Sequence, residues 1–235
     1  TDVMTPKGSS YVGSHGEDFI SMNDLAWVGF SLETGPEGGV YILDWHDTDV
    51  CGNAINFPNS GRIYRVMPKG AEPIKRPNIR SLSDAQLVTL QDHANDWYVR
   101  QSRLHLQMRA ASGKLNQKLV SSGLEKMLAS AKTSGKRLRA MWSLQVTGSL
   151  NEERLHQLLD HDDEYIRAFA IQFLCEEKVN DSSLNRFATL AQTDKSPVVR
   201  LYLASALQRL SHDQRWPILA ELAQHAEDTE DNNIP

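Results

Sequence analysis

Long apolar runs are missing from this sequence of 235 residues. No stretch of about 18 consecutive apolar residues occurs, so the sequence offers no candidate membrane-spanning helix. The N-terminal residues TDVMTPKGSS carry no basic stretch followed by an apolar one, which argues against a secretory signal peptide at this end. Because the chain also opens without Met, we expect a fragment or a processed chain, and the missing signal then says nothing about the parent protein.

Cysteine and the common catalytic motifs are scarce as well. The chain has only Cys51 and Cys175, and it contains no CxxC or CxxCH, which excludes a zinc knuckle and a covalent c-type haem within this chain. We expect no disulfide between them, since they fall in different predicted domains. Cys175 lies on an apolar helical face and is predicted to be a small core residue. HExxH, GxSxG, P-loop and GxGxxG motifs are absent too, so no catalytic residue is assigned.

Charge is distributed unevenly along the chain. Residues 71–140 contain 13 basic and 5 acidic side chains, a net charge of +8, whereas residues 1–70 carry −5 and residues 141–235 carry −8. A basic segment therefore separates two acidic ones. Seven residues are predicted to present this basic charge: Lys114, Lys118, Lys126, Lys132, Lys136, Arg137 and Arg139.

The first 80 residues differ in composition from the rest. They hold 10 of the 14 glycines and 6 of the 9 prolines. Short runs rich in β-branched and aromatic residues, separated by Gly-Pro and Asn-Ser-Gly turn signals, predict three or four short antiparallel strands, at Leu25–Phe30, Val40–Leu43 and Arg62–Val66 among others. We therefore assign residues 1–70 to a β segment and residues 71–80, with their spaced prolines, to an extended linker.

From Ser81 onward the apolar spacing becomes helical. Polar caps divide residues 81–228 into about nine helices, and Ser196-Pro197 places proline at a first helical position, where its missing N–H does no harm. Ser182 or Ser183 is predicted to start the seventh helix. Trp97 and Trp142 are predicted core residues. Residues 229–235 are predicted to form an acidic disordered tail.

The helices repeat. Polar caps followed by a β-branched residue and arginine occur at Arg100, Arg167 and Arg200, which are 67 and 33 residues apart, and Arg139 falls where the missing unit belongs. A period in the thirties with two helices per unit predicts a solenoid, whose units hide apolar faces only by stacking. The pattern resembles HEAT repeats, in which such an arginine ties successive units together. Asp96, Asp163 and Asp194 are the expected acidic partners of Arg100, Arg167 and Arg200.

A second resemblance concerns the first third. The runs LETGPEGGVYILDWHDTD and SGRIYRV, followed by helical repeats, resemble the last propeller blade of membrane-bound dehydrogenases of the glucose/sorbosone-dehydrogenase type from planctomycetes and verrucomicrobia. The resemblance implies upstream blades, a downstream c-type haem domain, and an exported or periplasmic parent. The fold class that results is mainly α, a HEAT-like α-solenoid preceded by a short antiparallel β segment of a blade.

The loop after the predicted strand 40–43 contains the candidate site. Asp44, Trp45, His46 and Asp47 follow a buried strand, and strand ends in a propeller reach the central channel. Carboxylates there could orient a quinone, and Asp44, Asp47 and Asp49 could ligate calcium. The alternative is a polar loop in which Asp44 and Asp47 cap turns. Cys51 is followed by Gly52 and not by the His of many relatives, which weakens a haem-proximal role.

Two functions from different classes follow. In the first, the chain is part of a large quinone- and haem-linked dehydrogenase, as a terminal blade plus a helical spacer, and is inactive by itself. In the second, the repeats are an interaction scaffold, whose basic segment engages an acidic protein partner. Nucleic-acid backbone binding is a variant of the second function, and we expect a protein partner in preference to it.

Overall fold

The computed structural model describes residues 2–49, 55–71 and 77–235. It is mainly helical and contains five short strands before the helices, so the predicted fold class is confirmed. Every helix in the described ranges is too short or too polar to cross a membrane. The chain forms two compact units, one made of the residues up to Glu17 together with Leu124–Pro235, and the other of Asp18–Gly123. The predicted domain boundaries at residues 70, 80 and 228 stay predictions, and linker residues 72–76 and Cys51 lie outside the described residues.

The strands form two separate antiparallel sheets. The first is a hairpin of β1 (Asp2–Lys7) and β2 (Ser10–His15), which the sequence analysis did not locate. The second is a meander in the order β3 (Gly29–Thr34), β4 (Val40–Asp44) and β5 (Arg62–Val66). The predicted strands at 40–43 and 62–66 match β4 and β5 closely, whereas β3 begins four residues later than predicted.

The described residues contain nine α-helices. Within Asp18–Gly123, α1 spans Asp84–Thr89 and α2 spans Asp96–Ala111. Helix α3, Gln117–Ser130, runs across the boundary at Gly123. The remaining helices belong to the other unit: α4 Ser134–Val146, α5 Glu152–Leu158, α6 Glu164–Leu174, α7 Asp181–Thr193, α8 Pro197–Ala206 and α9 His212–Leu222.

Polar caps fix where these helices begin. Ser83, Asn95, Asn151 and Asp163 each accept a hydrogen bond from a backbone N–H in the first turn of the helix that follows, and Ser196 does the same before α8. The cap of α7 is Asn180, whose side chain accepts from the backbone N–H of Ser183 at 2.9 Å. The helix therefore begins at Asp181, one or two residues before the predicted start at Ser182 or Ser183. An amide side chain satisfies the free N–H groups of a first turn as well as serine does.

The core of the unit that contains Leu124–Pro235 lies between successive helix pairs. The second helices of the pairs, α4, α6 and α8, pack against one another in sequence order, and so do α7 and α9 among the first helices. Met141, Ile171 and Leu203, one from each second helix, are fully buried. At about 1.5–3 kcal/mol for each large apolar side chain removed from water, this burial between neighbours is the main stabilising contribution.

The C-terminal residues contact the start of the chain. Asp231 accepts hydrogen bonds from Ser9, and a short 3-10 turn covers Ala226–Asp228. The structure therefore gives residues 229–235 specific contacts where the sequence analysis expects a disordered tail.

Candidate functional site

Asp44, the first of the predicted site residues, ends β4 with its side chain fully buried. Its Oδ1 accepts hydrogen bonds from the backbone N–H groups of Val28 at 3.0 Å and His46 at 2.9 Å. Its other oxygen, Oδ2, lies 3.2 Å from Nε of Arg62. The carboxylate thus joins two chain segments and pairs with a cation of the same sheet.

Asp47 organises the loop that follows. Its two oxygens accept from the backbone N–H groups of Asp49, Asn56 and Phe57 at 3.1, 3.0 and 3.3 Å, and from the Asn56 side-chain amide at 3.2 Å. Burial opposes ionisation, but these hydrogen bonds outweigh it and hold the pKa of Asp47 below its ordinary value. Asp49 is exposed.

His46 connects the loop to residues that the sequence analysis did not single out. Its Nδ1 lies 2.8 Å from Oγ of Ser60, and its Nε2 lies 3.4 Å from Oδ2 of Asp24. A serine, a histidine and an aspartate in a row are the elements of a nucleophilic triad. The Ser60 hydroxyl, however, donates to the carbonyl oxygen of Phe57 at 2.6 Å. The same hydroxyl also lies 3.1 Å from the carbonyl oxygen of His46, so two carbonyl groups of the loop can accept its one proton, and the row holds the loop in place.

The arrangement leaves few oxygens for a cation. Calcium needs six to eight oxygen ligands, whereas the carboxylates of Asp44 and Asp47 already face N–H donors or a guanidinium. Within the ranges 2–49, 55–71 and 77–235, no group of three His, Cys, Asp or Glu side chains is arranged to hold a metal ion. The geometry of Asp44 and Asp47 matches their alternative role as turn caps, and calcium binding by this loop stays a prediction. Trp45 is 53% exposed and turns its ring toward Phe30, with ring centroids 6.5 Å apart.

The repeat arginines form a second set, and their pairing differs from the prediction. Arg167 donates from Nε and Nη2 to both carboxylate oxygens of Asp194 at 2.7 and 2.8 Å, 27 residues ahead. Arg200 makes the same bidentate pair with Asp228, 28 residues ahead. Asp163 and Asp194 were the wrong partners for Arg167 and Arg200, because each arginine reaches the acid of the following unit.

The preceding contact of this series is made by Arg137, which donates to Asp163 at 2.9 Å, 26 residues ahead. The repeat role of Arg139 stays a prediction. Arg137 lies two residues nearer the start of α4. Arg100 pairs with Asp96 at 3.2 Å, as expected, and also with Glu33 at 3.0 Å, and all three side chains are largely exposed.

We call the pairs Arg137–Asp163, Arg167–Asp194 and Arg200–Asp228 the rungs. Each acid is nearly buried and also serves its own unit: Asp163 caps α6, and Asp194 accepts from the backbone N–H of Ser196 at 2.9 Å. Arg167 and Arg200 further donate to carbonyl oxygens of the loops before their own helices, those of His161 and Asp194. A planar guanidinium with five donors suits such shared contacts. The rungs therefore fix the spacing between successive second helices.

The charges of the rungs stabilise each other. Burial opposes ionisation of Asp163, but the hydrogen bond from Arg137 and its neighbours outweighs burial and holds the pKa of Asp163 below its ordinary value. Hydrogen bonding to Asp194 raises the pKa of Arg167, and hydrogen bonding to Asp228 raises that of Arg200. Asp163, Arg167 and Arg200 are thus held in their charged forms by their neighbours.

A row of aromatic side chains runs across the same second helices. Trp142 of α4, Phe169 of α6 and Tyr202 of α8 have ring centroids 5.3 and 5.6 Å apart in order. We call these three residues the aromatic row. All three side chains are half-buried. Burial raises the pKa of Tyr202.

A cavity of about 360 Å³ adjoins the end of the aromatic row, and its lining includes Gln172, Cys175, Tyr202, Ser205 and Arg209. Cys175 is buried, as predicted, and burial raises its pKa to about 11. Its thiol is therefore protonated and unreactive at neutral pH. The lining combines apolar side chains with two charged ones, Glu176 and Arg209.

The basic segment stays a prediction as a binding surface. Of its seven residues, Arg137 is engaged in a rung. Lys126 and Lys132, both within Leu124–Pro235, belong to exposed or half-exposed positions at α3 and the loop after it. No contact in the structure tests an acidic partner or nucleic acid.

Comparisons with known proteins agree with the helical part. The family model for HEAT repeats matches residues 152–232. No curated protein and no solved structure matches the chain. The matched segment contains α5 to α9 and the rungs of Arg167 and Arg200, and this part of the chain is a helical repeat scaffold of the HEAT type.

Proposed function

We propose that residues 124–235 are a protein-interaction scaffold that binds an apolar segment of a partner protein along the aromatic row. The observation that carries the proposal is the continuous series of partly exposed rings on three successive helices. Tryptophan and tyrosine dominate the binding energy of protein interfaces because they bury large areas with few rotatable bonds.

The rungs support this proposal because they hold the row rigid. A surface that is already ordered before binding loses little conformational entropy when the partner arrives. The cavity beside Tyr202 supplies a place for one apolar side chain of the partner, and Arg209 at its edge is exposed. The partner is therefore a segment with regularly spaced apolar side chains, such as one face of an amphipathic helix.

Peptide selection tests the proposal. Random 16-residue peptides displayed on phage are panned against the chain, and selected peptides are measured by fluorescence anisotropy against three variants. Ser205→Trp fills the cavity from an exposed position, and Phe169→Ala and Tyr202→Ala remove rings of the row. We expect each variant to weaken binding at least tenfold, about 1.4 kcal/mol. Trp216→Ala is the matched control, since Trp216 is 55% exposed on α9 and contacts His212 and not the row.

Circular dichroism of each variant separates loss of binding from loss of folding. Ser205→Trp is decisive, because it deletes no packed side chain. If selected peptides bind Ser205→Trp and Tyr202→Ala as tightly as the unaltered chain, or if Trp216→Ala is the variant that fails, the aromatic row is not the binding surface.

A second candidate function is favoured by the β3–β5 sheet. One of its faces exposes four large apolar residues, Phe30, Leu43, Trp45 and Ile63, which are between 41% and 71% exposed. Leu43 and Ile63 face each other across β4 and β5. An apolar sheet face of this kind is suited to pack against another sheet. We infer that it is a blade face of a larger dehydrogenase, whose other parts supply the quinone and the haem.

The second candidate is tested by activity. The purified chain, supplied with a quinone cofactor and sugars or alcohols, is expected to reduce no artificial electron acceptor. Turnover by this chain alone would contradict its role as a non-catalytic part. Calcium takes no part in the proposal, because Asp44 and Asp47 are occupied by N–H donors.

A further inference from the structure

The N-terminal hairpin is held to the repeats by its tip. All residues of β1 and β2 are exposed, including the apolar Val3, Met4 and Val12. The hairpin nevertheless belongs to the same compact unit as Leu124–Pro235. A two-stranded hairpin without further packing is marginally stable in water. Its position therefore depends on the few contacts at its turn and on one side chain of β2.

The turn residue Ser9 makes the main contact. Its backbone N–H donates to Oδ2 of Asp231 and its hydroxyl donates to Oδ1, both at 2.7 Å, and Ser9 is only 7% exposed. The preceding Gly8 has φ of +57°, and a Cβ there would lie 2.2 Å from the Asp231 carboxylate. Glycine is thus required at position 8 both for the backbone conformation and for the close approach.

Asp231 is shaped to receive this turn. Its Oδ1 also accepts from the backbone N–H groups of Asn233 at 2.9 Å and Ile234 at 3.3 Å. Burial opposes its ionisation, but the hydrogen bonds, those from Ser9 foremost, outweigh burial and hold the pKa of Asp231 below its ordinary value. The group that binds the turn is therefore a charged carboxylate, which neighbouring backbone N–H groups hold in place. We call this carboxylate the seat.

A second contact lies on the helices. The hydroxyl oxygens of Tyr11 and Tyr165 are 2.6 Å apart, within hydrogen-bond distance. Tyr165 is in the first turn of α6, four residues before Phe169, so the two side chains lie on the same face of that helix. The hairpin thus touches the helix face that carries the aromatic row.

We propose that residues 2–15 form a releasable strap, latched at Asp231, that closes a cavity at the C-terminal end of the repeats. This cavity, about 350 Å³, is lined on one side by Lys7 and Tyr11 and on the other by Lys195, Arg200 and Asn233. Among the described residues, the hydrogen bonds of the strap to the repeats go to Tyr165, Asp231 and Asn233, whereas the rung of Arg200 and Asp228 lines the same cavity without a hydrogen bond to the strap. Gly16–Val28 after the strap contain neither helix nor strand. It can therefore leave while the repeats stay folded, and its departure uncovers the cavity and the Tyr165 hydroxyl.

Hydrogen–deuterium exchange of the full chain tests the latch without reference to the proposed function. In the unaltered chain, amides paired across β1 and β2 are expected to be protected. Asp231→Ala removes the acceptor of both Ser9 bonds, and we expect exchange of these amides to accelerate at least tenfold, with α6 and α8 unchanged. Tyr11→Phe removes one hydroxyl and should give a smaller acceleration. Asp213→Asn is the matched control, since Asp213 is a fully exposed acid on α9 outside the seat.

Three results overturn the proposal. Hairpin amides that exchange freely in the unaltered chain would show that no latch exists. Equal exchange in Asp231→Ala and the unaltered chain would show that Asp231 is not the latch. Faster exchange throughout α6 and α8 in Asp231→Ala would show that the hairpin is a structural part of the repeats and cannot be released.

Discussion

Large apolar side chains are buried in the helices of Leu124–Pro235, whereas several are exposed on the β3–β5 sheet. Met141, Ile171 and Leu203 on the second helices are fully buried by neighbours in sequence, whereas Phe30 and Ile63 on the sheet are about 70% exposed. The apolar face of each repeat is buried against the next repeat in the stack. The β3–β5 sheet has one buried apolar residue, Ile42, and one face on which apolar side chains are exposed. Stability in the repeats is therefore a property of stacking, and the sheet's apolar face is available for a partner.

Charged residues show the same contrast. The Arg200 and Asp228 side chains are 2% and 8% exposed, whereas those of Arg100 and Glu33 are 46% and 61% exposed. Both arginines follow a β-branched residue after a helix cap in the sequence. Solvent screens an exposed pair, and a buried pair leaves a costly unpaired charge when one partner is removed.

The largest expected effect comes from Arg200→Ala. This change leaves the buried Asp228 without its bidentate partner, and we expect the free energy of unfolding to fall by about 3–5 kcal/mol. Urea denaturation followed by circular dichroism measures it. Arg186→Ala is the control, because Arg186 pairs with the exposed Asp160, and should cost less than about 1 kcal/mol. Equal costs for the two variants would remove the distinction between buried and exposed pairs.

Two double-mutant cycles test the comparison between buried and exposed pairs at arginines that occupy equivalent positions in the sequence repeat. The coupling energy between Arg167 and Asp194 is expected to be about 1.5–3 kcal/mol, since two hydrogen bonds join charged groups in a partly buried position. The coupling between Arg100 and Glu33 should be below about 1 kcal/mol. Both are obtained from alanine variants by urea denaturation. A stronger coupling at Arg100 would show that the sequence motif, and not burial, sets the interaction.

A smaller effect is expected from pH. The pKa of Asp163 in the folded chain lies below its ordinary value of 3.8, so the folded state binds this proton more weakly than the unfolded state. The contribution of the rung is therefore complete above about pH 4 and is lost as pH falls through the lower, folded pKa. Urea midpoints measured from pH 7 to pH 3 should decline less steeply in Asp163→Asn. Parallel declines would mean that Asp163 does not take part in the linkage.

The smallest change in stability is expected on the exposed sheet face. Phe30→Ser with Ile63→Ser should alter the free energy of unfolding by no more than about 0.5 kcal/mol, because these side chains are already in contact with water. The same variant should reduce self-association measured by light scattering. Ile42→Ala, from the buried side of the sheet, should cost about 2–5 kcal/mol. A large loss of stability in the serine variant would show that the face is already covered in the folded chain.

The sequence was informative where the governing interactions are local. Ser83, Asn95 and Asn151 cap helices within three residues of themselves, and β4 and β5 are short runs rich in β-branched and aromatic residues. Burial of Cys175 was likewise visible from its helical face. These features depend on neighbours along the chain, so residue type and spacing suffice to predict them.

Contacts between residues that are far apart along the chain could not be predicted from residue type and spacing. Asp163 is closer in the sequence to Arg167 than Asp194 is. The Arg167 side chain nevertheless pairs with Asp194, because stacking places the loop of the next unit beside it. Arg137 and Arg139 are two residues apart, and only the rotation of α4 decides which one meets Asp163. The contact of Ser9 with Asp231 joins residues 222 positions apart and has no periodic signal.

The double role of Asp194 has a consequence for how such a chain can lengthen or shorten. This residue accepts the Arg167 side chain, and its backbone carbonyl accepts from Arg200, so one loop ends one connection and begins the next. Excision of residues 167–199 would join Ile166 to Arg200, keep the Arg137–Asp163 and Arg200–Asp228 pairs, and place Asp163 before Arg200 in the sequence position that Asp194 now has. Removal of only a few residues between two of these arginines would leave one guanidinium without its carboxylate partner. Evolutionary gain or loss in this region is accordingly expected in whole modules of about 33 residues.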